Sequence, residues 1–64
     1  MLIVGTRIII DVDRGNTLYD WNGEEGEIVN ITEDLFGHAI YDVDIDGNPL
    51  LVFESEMRIK KGVK

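Results

Sequence analysis

The chain has no cysteine, a single proline (Pro49), a single histidine (His38), a single serine (Ser55) and a single tryptophan (Trp21). Without cysteine, neither a disulfide nor a thiolate metal site can supplement a small core. A reducing compartment is then as natural as any, and the cytoplasm is the default expectation. One imidazole has no second to share a metal with, so neither a metal nor a cofactor is expected. Long apolar runs are missing too. Met1 to Val4 is apolar, but Gly5, Thr6 and Arg7 follow at once, too soon for a signal peptide or a membrane span. Basic residues are scarce: residues 1 to 57 hold only Arg7 and Arg14.

What is there is acid. Thirteen Asp and Glu against six Lys and Arg give a net charge of −7. Arg58, Lys60, Lys61 and Lys64 fall in the last seven residues, so an acidic body carries a basic tail. Such a field repels phosphate backbones and anionic lipid heads and favours a basic protein surface. The plain alternative is that acidity keeps a small domain soluble. Sixty-four residues, 44% of them hydrophobic, make one domain with one core. At about 25 cal/mol per Å² of buried apolar surface, that core gives modest stability or needs help from a partner.

Gly, Asn and Asp clusters cut the chain into short apolar runs rich in Ile, Val, Tyr and Phe, which read as strands. Thr6 to Val12 is the first, with Ile8, Ile10 and Val12 on one face and Ile9 on the other. A long polar loop, Asp13 to Gly23, follows. Gly26 to Thr32 is apolar on both faces, as where a strand bends around a closing barrel, and the turn Glu33 to Gly37 ends it. His38 to Ile45 alternates most cleanly: Tyr41, Val43 and Ile45 face inward, Asp42 and Asp44 outward. Asp46 to Pro49 is a reversal and Leu50 to Phe53 the next strand. Glu54 to Met57 suits a single 3-10 turn, and Arg58 to Lys60 is a short fifth strand. This predicts an all-β, five-stranded SH3-like barrel over residues 1 to 64, with the 3-10 turn before the last strand. Ile9, Leu50 and Val52 are expected to face outward, which leaves self-association open.

Gly5-Thr6-Arg7-Ile8, then Gly23-Glu24-Glu25-Gly26-Glu27-Ile28-Val29, Tyr41-Asp42-Val43 and Phe53-Glu54-Ser55-Glu56-Met57 resemble small bacterial, chloroplast and phage SH3-like barrels. Similar domains are the PsaE-type accessory subunit of photosystem I and the variable chain of ferredoxin-thioredoxin reductase. The resemblance implies a small non-catalytic module docked on a larger protein. Barrels of the KOW type carry bases beside a turn like Gly23 to Gly26. Glu24, Glu25 and Glu27 stand there instead, which opposes nucleic-acid binding. Thr17-Leu18-Tyr19-Asp20-Trp21 looks like the signature of peptide-binding SH3 domains, but the paired tryptophans of a polyproline groove are lacking.

Asp42, Asp44 and Asp46-Gly47 match the opening of an EF-hand loop, but its twelfth position is Phe53 rather than an acid and no helical pattern flanks it. A strand with an acidic outer face, binding calcium weakly at most, is the expectation. His38 is a turn histidine without a nucleophile, since Ser55 is assigned to a distant turn, and no enzyme is predicted. The candidate protein-binding residues are Tyr19, Asp20, Trp21, Glu24, Glu25, Asp34 and Phe36, with loop aromatics as anchors inside an acidic rim; the alternative for Trp21 is that it folds back to cap the open end of the core. The expected partner is a larger protein with a basic or mixed surface, and replacing Trp21 is expected to weaken docking without unfolding the domain. Two alternatives stand beside this. The acidic body imitates nucleic acid and inhibits a DNA- or RNA-binding protein, or the tail Arg58 to Lys64 binds nucleic acid directly.

Overall fold

In the computed structural model, which describes residues 2 to 60, the strict period-two segments become strands. β1 is Arg7–Ile10, β2 Glu25–Glu33, β3 Ala39–Ile45, β4 Asn48–Phe53 and β5 Met57–Ile59. They form one antiparallel sheet in the order β4-β3-β2-β1-β5. The 3-10 turn Glu54–Glu56 joins β4 to β5, and no ladder links these two outermost strands among the described residues. The all-β plan with a 3-10 turn before the last strand is therefore observed. No helix among these residues is long and apolar enough to cross a membrane.

Ile8, Ile10, Ile28, Tyr41, Val43, Ile45, Val52 and Met57 form the buried core, so every strand contributes to it. β2 serves two walls through a bulge: Ile28 pairs with Val43 and Asn30 with Asp42, leaving Val29 unmatched. The extra residue shifts the parity, so both Ile28 and Ile31 turn inward although three positions separate them. Val29 is left exposed. The buried Tyr41 hydroxyl accepts from the Leu2 N–H and donates to Glu54 Oε1, both at 3.2 Å, so its burial leaves no polar group stranded.

Two sequence expectations change. The β3–β4 reversal is a two-residue turn, because Ile45 pairs with Asn48 and both Asp46 (φ 51°) and Gly47 (φ 85°) are left-handed, as a type I′ hairpin requires. Val52 then lies opposite Tyr41 and Leu50 opposite Val43. Both face the core rather than solvent, and it is Leu51 and Phe53 that face outward. β1 also ends at Ile10; Val12 packs against the core from beyond the strand.

β4 is an outermost strand, and its free edge is guarded. Alternation from the turn directs the backbone groups of Asn48, Leu50 and Val52 to β3 and those of Pro49, Leu51 and Phe53 outward. Pro49 has no N–H, and the Phe53 N–H donates to Glu56 Oε1 at 3.0 Å. Leu51 alone keeps an outward donor. The double substitution Pro49→Thr with Glu56→Ala should sediment as a heavier species than the wild type at equal concentration; equal mass throughout would show that the edge does not limit strand pairing.

Gly26 in β2 is packed tightly against β3. A Cβ there would stand 2.7 Å from side-chain carbons of both Val43 and Ile45 and 2.8 Å from the Asp44 carbonyl oxygen. Gly26→Ala should therefore cost about 3 kcal/mol in urea denaturation, the upper part of the usual range for overpacking, because a backbone oxygen cannot step aside.

Candidate functional site

The long loop is stitched rather than loose. Asn16 Oδ1 accepts from the Leu18 N–H at 2.8 Å, Asn16 Nδ2 donates to Glu56 Oε2 at 2.6 Å and Asn22 Oδ1 accepts from the Val12 N–H at 2.9 Å. Within it Tyr19–Trp21 forms a 3-10 turn. Leu18 and Trp21 pack against the core, and Tyr19 is only 37% exposed. Trp21 thus caps the core, the second of the two readings open to a loop tryptophan. Asp20 and Glu24 are exposed.

Glu25 does not stand as a rim acid. Arg7 Nε and Nη2 donate to its Oε2 at 3.0 and 2.7 Å, and Lys60 Nζ to its Oε1 at 2.8 Å. The Lys60 ammonium, then the Arg7 guanidinium, hold its carboxyl below the ordinary value. Arg58 lies 3.6 Å from Asp11, so both described bases of the proposed nucleic-acid tail sit beside acids of this chain. Lys61 and Lys64 lie outside the described residues.

Asp34 and Phe36 sit at the other end of β2 from the Trp21 turn. A strand of nine residues spans up to about 27 Å, and Phe36–His38 is the one aromatic pair among the described residues. The anticipated cluster of Tyr19, Trp21 and Phe36 does not assemble.

The β2–β3 turn carries its own device. Asp34 Oδ1 accepts from the N–H groups of Phe36 (2.8 Å) and His38 (2.9 Å), and its Oδ2 lies 3.2 Å from His38 Nδ1. These bonds, the His38 N–H foremost, lower the Asp34 pKa. The clamped turn leaves Leu35 100% and Phe36 84% exposed. Phe36 lies against His38, ring centroids 6.3 Å apart. His38 in turn lines a shallow cleft with Ala39, Phe53, Glu54 and Ser55. Outward from the cleft run Ile40, opposite Phe53, and Leu51. Sequence reasoning chose Asp34 and Phe36 here and missed Leu35, Leu51 and Phe53. Leu35-Phe36 inside a turn was a usable signal.

Ser55, expected far from His38, lines the same cleft because the β3–β4 ladder folds the two turns together. No hydrogen bond joins them among the described residues, and the His38 ring is 70% exposed. A nucleophile and base in working contact are not what the geometry presents. Asp42 and Asp44 lie along β3, Asp46 in the hairpin turn; the acidic run builds a strand and a tight turn, not a coordinating loop.

No protein-family model, curated protein or solved structure matches this chain.

Because Glu25 has a folded pKa below its ordinary value of 4.5, its contribution is complete above the unfolded pKa and is lost as the pH falls through the lowered folded one. Glu25→Gln should lower the melting temperature at pH 7 and make no difference at about pH 2. An equal loss at both pH values would show that packing, not charge, carries the effect.

Proposed function

We propose that this domain is a non-catalytic protein-binding module, an accessory subunit that docks through the end formed by the β2–β3 turn and the β4–Glu54 junction. The observation that carries the proposal is the full exposure of Leu35 and near-full exposure of Phe36 on a turn held rigid by Asp34. Exposed side chains on a pre-ordered turn lose little freedom on docking and suit an anchor.

Charge supports the kind of partner. No Lys or Arg lies between Arg14 and Arg58, whereas all the acids except Asp11 and Asp13 do. The strand order puts Arg7, Arg58 and Lys60 on the β1–β5 side, where they offset Glu25, Glu27 and Asp11. The β3–β4 side, with its apolar strip, has acids without bases among the described residues. A larger protein with basic residues around an apolar recess is the complementary surface. Imitation of nucleic acid would use the same acids, but it gives no task to Leu35, Phe36, Phe53 and Leu51.

In affinity capture from the host, Leu35→Ser with Phe36→Ser should abolish partner recovery while stability changes by less than about 0.5 kcal/mol, as for exposed sites. Trp21→Ala should do the reverse, costing roughly 1–3 kcal/mol, less than a fully buried Trp, and keeping the partner. Undiminished recovery by the turn variant would remove this face from the account.

A further inference from the structure

Between the clamped turn and the end of β4 lies the cleft of His38, Ala39, Phe53, Glu54 and Ser55, about 390 Å³ in volume. Its surface is mainly apolar, and Glu54 is the one acidic residue in its lining. Glu54 Oε1 accepts from the buried Tyr41 hydroxyl at 3.2 Å, which anchors the carboxylate to the core and leaves Oε2 for a donor from outside. Phe53 is 45% exposed beside it, and Phe36 lies beyond His38.

A purely apolar side chain would bury the Glu54 carboxylate against hydrocarbon and strip its water without replacing a hydrogen bond, which is costly. An acidic side chain would meet Glu54 and Asp34 with like charge. A side chain with an apolar stem and a cationic end satisfies both features of the cleft. Arginine fits better than lysine, because its planar, weakly hydrated guanidinium can lie on an exposed aromatic ring while donating to a carboxylate. From this geometry we infer that the cleft is a subsite for one arginine side chain of the docked partner, seated next to the Leu35-Phe36 anchor. The inference rests on the docking reading above and names the residue class it selects.

The test needs no partner. N-acetyl-arginine amide, titrated into the ¹⁵N-labelled protein, should shift the amide signals of His38, Ala39, Glu54 and Ser55 saturably, with affinity on the order of millimolar. N-acetyl-norleucine amide, of similar length and uncharged, should leave them in place. Glu54→Gln retains an oxygen for Tyr41 and removes the charge, and should weaken the arginine titration about tenfold, the worth of one charge-assisted hydrogen bond. Phe53→Leu keeps the charge, removes the flat ring and should weaken it as well. Equal shifts from norleucine amide, or linear shifts spread over Asp42, Asp44 and Asp20 alike, would overturn the subsite. That failure is separate from failure of the docking face, which the Leu35 and Phe36 variants test with the partner itself.

Discussion

The close approach of β3 to Gly26, with the bulge at Val29, is the constraint on which the rest of this domain depends. With so few residues, a flat five-stranded sheet would leave one wall of apolar side chains uncovered. Bending β2 lets one strand face the core at Ile28 and again, past the bulge, at Ile31. At Gly26, two residues before Ile28, no Cβ fits, because Val43, Ile45 and the Asp44 carbonyl occupy that space. The nine-residue length of β2 sets its two ends apart, with the Trp21 turn at one and the Leu35-Phe36 turn at the other. That separation decides which exposed groups can act together.

Much of this was legible in the residues. Tyr41, Val43 and Ile45 alternate with Asp42 and Asp44 so regularly that one register buries all the apolar members, and β3 was read correctly. The two-faced pattern of Ile28, Val29 and Ile31 was rightly taken as a bent strand, although which residue is extra depends on pairing with Asp42 and Val43. The inner face of β4 was misassigned because Leu50-Leu51-Val52-Phe53 is apolar throughout and shows no alternation to read. With only Asp46 and Gly47 in the turn, each cross-strand partner moves by two positions, a shift that keeps Leu50 and Val52 on the inner face. Pairing with the clearly alternating β3 was the one guide to which of these residues are buried: both turn lengths set Leu50 and Val52 beside its inward members.

The site was less legible, for a similar reason. A loop tryptophan is ambiguous from sequence, since whether it anchors a partner or closes the core depends on where the loop is tied. Asn16 and Asn22 tie it inward through side-chain bonds to Glu56 and the Val12 N–H. Nor could the chain order show that His38 and Phe53 to Ser55 share a cleft, or that Glu25 meets both Arg7 and Lys60. These are contacts across ladders, between residues up to 35 apart. The segregation of charge was visible as a basic tail, but its meaning came from strand order. β5 lies beside β1, so the tail's described bases face Asp11 and Glu25 rather than forming a separate cationic arm.

The guard on β4 bears on how this protein meets others. An outermost strand with no charged residue invites a foreign strand, and pairing of that kind reads backbone more than side chains. Here Pro49 withholds one donor and Glu56 occupies another, leaving the Leu51 N–H, and a single donor cannot hold a register. The other oxygen of Glu56 holds Asn16, so the carboxylate that shuts the edge also fixes the loop whose Trp21 caps the core. On the docking reading proposed above, contact falls to the faces and turns, where Leu35, Phe36 and the Glu54 cleft present side-chain chemistry. Recognition by shape and charge selects among partners in a way that strand addition to a bare edge does not. A guarded β4 edge is therefore consistent with the proposed docking through side chains rather than through backbone pairing at that edge.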